Sequence, residues 1–267
     1  MKELTLQELK DIELDILKTF DAFCKENNIR YYLSHGTLLG AIRYKGFIPW
    51  DDDVDLLIPR DDYNRMISTF KDNERYKLFA FEKNKDYSLP FAKLCDMTTR
   101  KVEPGHNNGI ELGVDIDLFP LDAWNDDLEK AKNEVRYIRK NMACLVMAKG
   151  SEIIEPNPVK RIIKSVLKIF CRMAGTGFFV KRIRKACFSD ELKGKRYMGC
   201  KAWCVYGERG IIPAEVFAGT ADIEFEGDTY PAPIDWDKYL TCLYGDYLPE
   251  PPKEKQKTHH SFKAYKL

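Results

Sequence analysis

The amino-acid sequence predicts an α+β fold: a mixed β-sheet flanked by helices, with a helical insertion. Two acidic, strand-like segments predict the sheet. Asp51-Asp52-Asp53-Val54-Asp55 runs into Leu56-Leu57-Ile58, and Val114-Asp115-Ile116-Asp117-Leu118 alternates carboxylates with apolar residues. Helical periods lie between them, and a long helical pattern from Asp126 predicts the insertion. The expected units are residues 1–125 as a core, 126–190 as a helical, basic insertion, and 191–267 as a C-terminal segment packing back on the core.

Thr5-Leu6-Gln7-Glu8 is a capping box, a hydroxyl at the N-cap with Glu three residues on. The helix it opens carries Leu6, Leu9, Ile12, Ile16, Leu17, Phe20 and Phe23 at helical spacing, and Asn27-Asn28 ends it. A strand is expected over 29–34, then a short helix over 37–43, broken by Gly46 and Pro49 before the aspartate strand. Pro59 stops that strand, and 61–70 reads as helix. Strands are expected over 76–81, 91–96 and 114–118, the last ended by Pro120, with a polar loop over 101–109. Residues 126–148 read as a long helix.

Residues 158–188 hold nine Lys or Arg and no acid. Val159, Ile162, Ile163, Val166, Leu167, Phe170 and Met173 form a helical stripe, with Lys160, Arg161, Lys164, Lys168 and Arg172 largely off it. Two readings follow: a helix lying on an anionic membrane surface, or one packing its apolar face on the core and solvating its basic face. Further on, Ile223 to Tyr230 reads as a hairpin turning at Gly227-Asp228.

The bulk properties narrow the function class. The chain has 267 residues and a net charge of +1, which argues against a nucleic-acid partner. No run of 18 apolar residues and no basic-then-apolar start suggest neither a spanning helix nor a signal peptide. The eight scattered cysteines read as reduced thiols, and Cys200 and Cys204 lack two further zinc ligands at an obvious spacing. A cytoplasmic location, or a peripheral one at the inner face of the cell membrane, is expected.

The aspartates carry the chemistry. On a strand, Asp53 and Asp55 share one face while Val54 points the other way. Two carboxylates on one face of a buried strand repel each other, and Mg²⁺ bound to a substrate phosphate would relieve this. A calcium loop is excluded, because its sixth position would be Leu56 rather than Gly. Asp117 offers a third group from a neighbouring strand, with Asp115 in phase with it. Gly36-Thr37 at a helix start offers amides and a hydroxyl to a phosphate. Together these suggest phosphoryl transfer.

Ser34 to Arg43, Gly46 to Asp55, Asp117-Leu118-Phe119-Pro120-Leu121-Asp122, Tyr244-Gly245-Asp246-Tyr247 and Thr258-His259-His260 resemble the LicD family of phosphocholine transferases. The resemblance implies a nucleotidyltransferase-like fold related to the fukutin-type transferases. It implies transfer of phosphocholine from CDP-choline to a sugar hydroxyl of a cell-surface glycan of teichoic acid, lipooligosaccharide or capsule type, with CMP leaving. The acceptor could be held on a lipid carrier. Carried over by position, Asp53 and Asp55 match the metal pair, Asp117 the third carboxylate, and Gly36-Thr37 the phosphate turn. Thr37 stands where the superfold more generally has Ser.

Mg²⁺, or Mn²⁺ in its place, is the expected cofactor, held by Asp53, Asp55 and Asp117, with Asp117 as ligand and proton acceptor together. Asp51 and Asp52 read as turn and capping residues. Arg43 and Lys93 are candidate phosphate contacts, although a strand lysine can equally face solvent. The resemblance suggests that His259 and His260 fold back to the site. Aromatic faces hold a quaternary ammonium, making Trp50 the first candidate for choline, followed by Trp203, Tyr206, Trp236 and Tyr244. Other CDP-alcohols (ethanolamine, glycerol, ribitol), nucleotidyl transfer and a non-catalytic scaffold are the alternatives.

Overall fold

The computed structural model describes residues 1–102, 110–150, 153, 155–187, 192, 194–258 and 262–267. After the short strand β1 (Lys2–Glu3), helix α1 spans Leu6–Glu26. The capping box forms: Glu8 N donates to Thr5 Oγ1 at 3.2 Å, and Thr5 N donates to Glu8 Oε2 at 2.9 Å. Ile16, Leu17 and Phe20 on its inner face are fully buried.

Strand β2 is only Tyr32–Leu33, shorter than expected, because the Ser34 carbonyl already accepts the first bond of α2 (His35–Tyr44), from Leu38 N at 3.0 Å. Gly40 lets α2 lie on the loop that follows. A Cβ there would stand 2.5 Å from the Gly46 carbonyl oxygen. Strand β3 (Asp55–Pro59) starts two residues later than the sequence suggests. The Asp55 amide donates to Thr37 Oγ1 at 2.8 Å rather than to a neighbouring strand, so the ladder stops there. Asp53 therefore precedes β3 and does not share a strand face with Asp55.

Helix α3 (Arg60–Thr69) leads to β4 (Tyr76–Phe79), β5 (Ala92–Val102) and β6 (Leu112–Ala123). Lys101 and Val102, expected in a polar loop over 101–109, belong to β5, and residues 103–109 lie outside the described residues. Strand β6 runs through Pro120 instead of ending there. Pro120 pairs with Ile58 of β3 and lies beyond Leu118, whose pairing with Ala92 is the last between β6 and β5. Its missing N–H therefore costs no bond to β5.

Three helices follow: α4 (Leu128–Lys149), α5 (Pro158–Ala174) and α6 (Thr176–Cys187). Val135, Ile138 and Leu145 of α4 pack with Val180 and Ile183 of α6 and with Trp124 in a second core. In α5 only Cys171 is buried. Lys164 turns inward to Glu155 at 2.6 Å, and Lys168 donates to the Gly150 carbonyl at 3.2 Å. The reading in which the apolar stripe packs on the core is thus overturned. The inward side is taken by lysines, and Ile162, Phe170 and Met173 face solvent.

The chain then returns through β7 (Tyr197–Gly199), β8 (Ile212–Pro213), the hairpin of β9 (Thr220–Phe225) and β10 (Asp228–Pro233), α7 (Trp236–Tyr244) and β11 (Lys263–Lys266). The hairpin turns at Glu226-Gly227, one residue earlier than expected, and both residues have positive φ, 50° and 79°. Among the described residues, nine strands form a mixed sheet with β1, β11, β5, β6, β3 and β2 in order, β4 joining β5, and β7 and β8 extending β6. Strand β3 runs parallel to β6, while β5 and β2 are antiparallel to their partners. The architecture is α+β, as expected.

Behind the sheet, Arg60 Nε and Nη2 each donate at 2.7 Å to Asp122, whose side chain is fully buried. Removing one partner strands a buried charge. Asp122→Ala should lower stability by about 3–5 kcal/mol in urea unfolding, whereas a loss within experimental error would mean that the pair is dispensable.

Candidate active site

The parallel register sets Asp55 of β3 opposite Asp117 of β6, and the antiparallel register sets Asp117 opposite Lys93 of β5. Residues paired across neighbouring strands point to the same face, so these three side chains form one row. Asp115, two residues back on β6, shares that face. Lys93 Nζ forms close ion pairs with both Asp115 and Asp117, and Lys101 Nζ lies 3.1 Å from Asp115 Oδ2. Burial alone would raise the Asp115 carboxyl, but the two lysines hold it down to about 2. Burial raises the Asp117 carboxyl despite Lys93, with the Asp115 charge adding to it. Asp55 is pushed well up by burial and then by the charges of Asp53, Asp117 and Asp51.

The loop carrying Asp51 and Asp53 is held from behind. Lys10 of α1 donates to the carbonyls of Ile48 and Pro49 at 3.0 and 3.1 Å. In front, Gly36 in the first turn of α2 meets this loop so closely that a Cβ would lie 2.8 Å from Asp51 Oδ2. Glu13 of α1 is buried near the same group. Its carboxyl is pushed well up by burial and then by the Asp53 charge, which favours the neutral form.

These parts open into a cavity of about 680 Å³. Asp51, Asp53, Asp55 and Asp117 supply its acidic lining, Trp50, Phe119, Trp203, Tyr206 and Tyr244 its aromatic lining, and Arg43 and Lys255 its cations. Arg43 also ties α2 to the chain's end, donating to the Tyr247 carbonyl and, at 2.6 Å, to that of Pro249. Tyr206 and Tyr244 hydroxyls meet at 2.7 Å. His35, with φ of 46°, stacks on Tyr206 at 5.4 Å and meets Phe119 edge-on. Its Nδ1 lies 3.2 Å from Ser34 Oγ and 3.7 Å from Asp55 Oδ2.

Of the residues singled out in the sequence, Gly36, Arg43, Trp50, Asp53, Asp55 and Asp117 meet in this cavity. Among the described residues, Thr37, Lys93 and Trp236 are not in its lining. Thr37 is buried with its hydroxyl on the Asp55 amide, and Lys93 is buried against Asp115 and Asp117. His259 and His260 lie outside the described residues. Asp51, read as a turn residue, belongs to the lining. His35 and Lys255 were not foreseen, although His35 sits within the Ser34-His35-Gly36-Thr37 segment.

Oxygen donors of this kind suit Mg²⁺ or Mn²⁺. The mutual repulsion that raises Asp55 is what a divalent cation would relieve. Among the described residues, no three His, Cys, Asp or Glu side chains are arranged to hold a metal ion by themselves. The residues thus fit the ion by donor chemistry and charge rather than as a closed shell.

A family profile described as the LicD/FKTN/FKRP nucleotidyltransferase domain matches residues 28–143. The chain is 32% identical, over the full length of both proteins, to a Haemophilus influenzae protein named lipopolysaccharide cholinephosphotransferase LicD. This chain belongs to the LicD family. Shorter similarities accompany it. An uncharacterized Rickettsia typhi protein is 36% identical over 75 residues, 27% of this chain and 24% of its own. Yeast mannosyltransferase regulator 4 is 30% identical over 108 residues, 39% of this chain and 9% of its own. The match to the LicD-family profile spans the row of Asp55, Lys93 and Asp117 as well as the first turn of α2.

Burial lowers the His35 ring from 6.5 to about 4. Between those values the unfolded chain takes up a proton that the folded ring refuses. The stability this ring contributes is therefore full above pH 6.5 and lost as pH falls to about 4, by about 3 kcal/mol. His35→Gln should flatten that part of the profile of urea midpoint against pH, and a variant profile parallel to the native one would refute it.

Proposed function

We propose that this protein transfers phosphocholine from CDP-choline to a sugar hydroxyl of a lipopolysaccharide-type glycan, releasing CMP. The observation that carries the reading is one cavity that joins a carboxylate cluster to an aromatic wall. The full-length similarity to the Haemophilus protein supports the choice of donor group and acceptor class. Choline's quaternary ammonium is recognised by aromatic faces, which Trp50, Trp203, Tyr206 and Tyr244 supply. A polyol headgroup would call for polar contacts instead.

In this reading the sugar oxygen bonds to the choline-bearing phosphorus as the bond from that phosphorus to the CMP oxygen breaks. Asp117 takes the hydroxyl proton, a role that its raised pKa favours. Lys93 orients Asp117 from the buried side and offsets the charge of Asp115. Arg43, Lys255 and the positive N-terminal end of α2 face the donor's phosphates. Asp53 and Asp55 would hold Mg²⁺ together with phosphate oxygens, and the ion would neutralise phosphate charge.

Purified protein with Mg²⁺ and a panel of CDP-alcohols should release CMP from CDP-choline in a way that depends on the glycan acceptor. Release from another CDP-alcohol and none from CDP-choline would overturn the donor assignment. Asp117→Asn should lower kcat by about 10²- to 10⁴-fold. Trp203→Ala should raise KM for CDP-choline by about 2- to 30-fold while changing that for CDP-glycerol little. Equal effects on both donors would remove the aromatic wall from choline recognition.

A further inference from the structure

We propose that helix α5 is an in-plane membrane anchor, its apolar face seated in a bilayer surface rich in anionic phospholipid. The proposal does not rest on the phosphocholine reading. Lys164, Lys168 and Cys171 mark the side of α5 turned to the protein. At 100° per residue, Ile162, Val166, Ile169, Phe170 and Met173 fall on the opposite side. The exposures agree: Ile162 is 64% exposed, Phe170 62% and Met173 78%. A continuous apolar face of this size directed at water marks an interaction surface.

The charges select the occupant. The described residues 158–187 hold nine Lys or Arg and no Asp or Glu. Lys160, Arg161 and Arg172 are exposed on the flanks of the apolar face, where their long stems can carry the charges to headgroup level. An apolar centre with a rim of a single positive sign complements an anionic leaflet, whose charge is negative everywhere and whose interior is apolar. A second copy of this chain would instead bring like charges against like. Among the described residues, no helix is long and apolar enough to cross a membrane, so α5 would lie in the plane of the surface.

The test is co-sedimentation of the full chain with vesicles of phosphatidylcholine alone and of phosphatidylcholine mixed with phosphatidylglycerol. The protein should pellet with the mixed vesicles, much less with the neutral ones, and less as salt is raised. The combined variant Ile162→Ser, Phe170→Ser, Met173→Ser should reduce the bound fraction by about tenfold or more. These side chains are exposed, so its melting temperature should match the native one, which separates lost anchoring from unfolding. Equal pelleting with both vesicle types, or native pelleting by the variant, would overturn the proposal. So would a native dimer that the variant dissolves in the absence of vesicle binding.

Discussion

The register between β3, β6 and β5 is the constraint on which the site depends. It puts two carboxylates and a lysine side by side across three neighbouring strands, on the face that opens into the cavity. Buried like charges repel strongly, and the sheet tolerates them here because Lys93 and Lys101 reach into the row from β5. The lysines do not cancel all the repulsion. Asp55, at the open end of the row, keeps the raised carboxyl of a group short of positive charge. That residual imbalance lies where Asp55 lines the cavity.

Around this row the fold brings a tight loop and a helix start close together. Gly36 and Gly40 let α2 approach the aspartate loop, Lys10 holds the loop from behind, and Thr37 ends β3 at the residue where the cavity begins. The first turn of α2 is therefore built to position Asp55. The aromatic side joins Trp50 and Phe119, neighbours of the acidic residues in the chain, to Trp203, Tyr206 and Tyr244 from its later part.

Much of this was legible in the sequence. Capping and helical spacing located α1, and spaced aspartates located the two strands whose pairing makes the site. What escaped depends on partners rather than on pattern. A period of 2 put Asp53 and Asp55 on one face, but the Thr37 hydroxyl takes the Asp55 amide and ends the strand. Lys93 read as a phosphate contact or a solvent-facing strand lysine because its partners, Asp115 and Asp117, lie more than 20 residues away. The α5 stripe was plain, yet amphipathicity identifies a face without saying what covers it. Pro120 likewise looked like a terminator, because only the tertiary pairing shows that its missing amide faces no β5 partner.

The Arg43 clasp has a consequence for the order of events during synthesis. Its guanidinium grips the Tyr247 and Pro249 carbonyls, 204 and 206 positions along the chain. A nascent chain that has emerged only as far as α6 can pair β3, β5 and β6, but it lacks the segment that completes the cavity. Such long-range closure comes late in folding. The acidic row is thus assembled first and walled in last, and a ribosome-bound fragment carries the carboxylates without the enclosure that would make them selective.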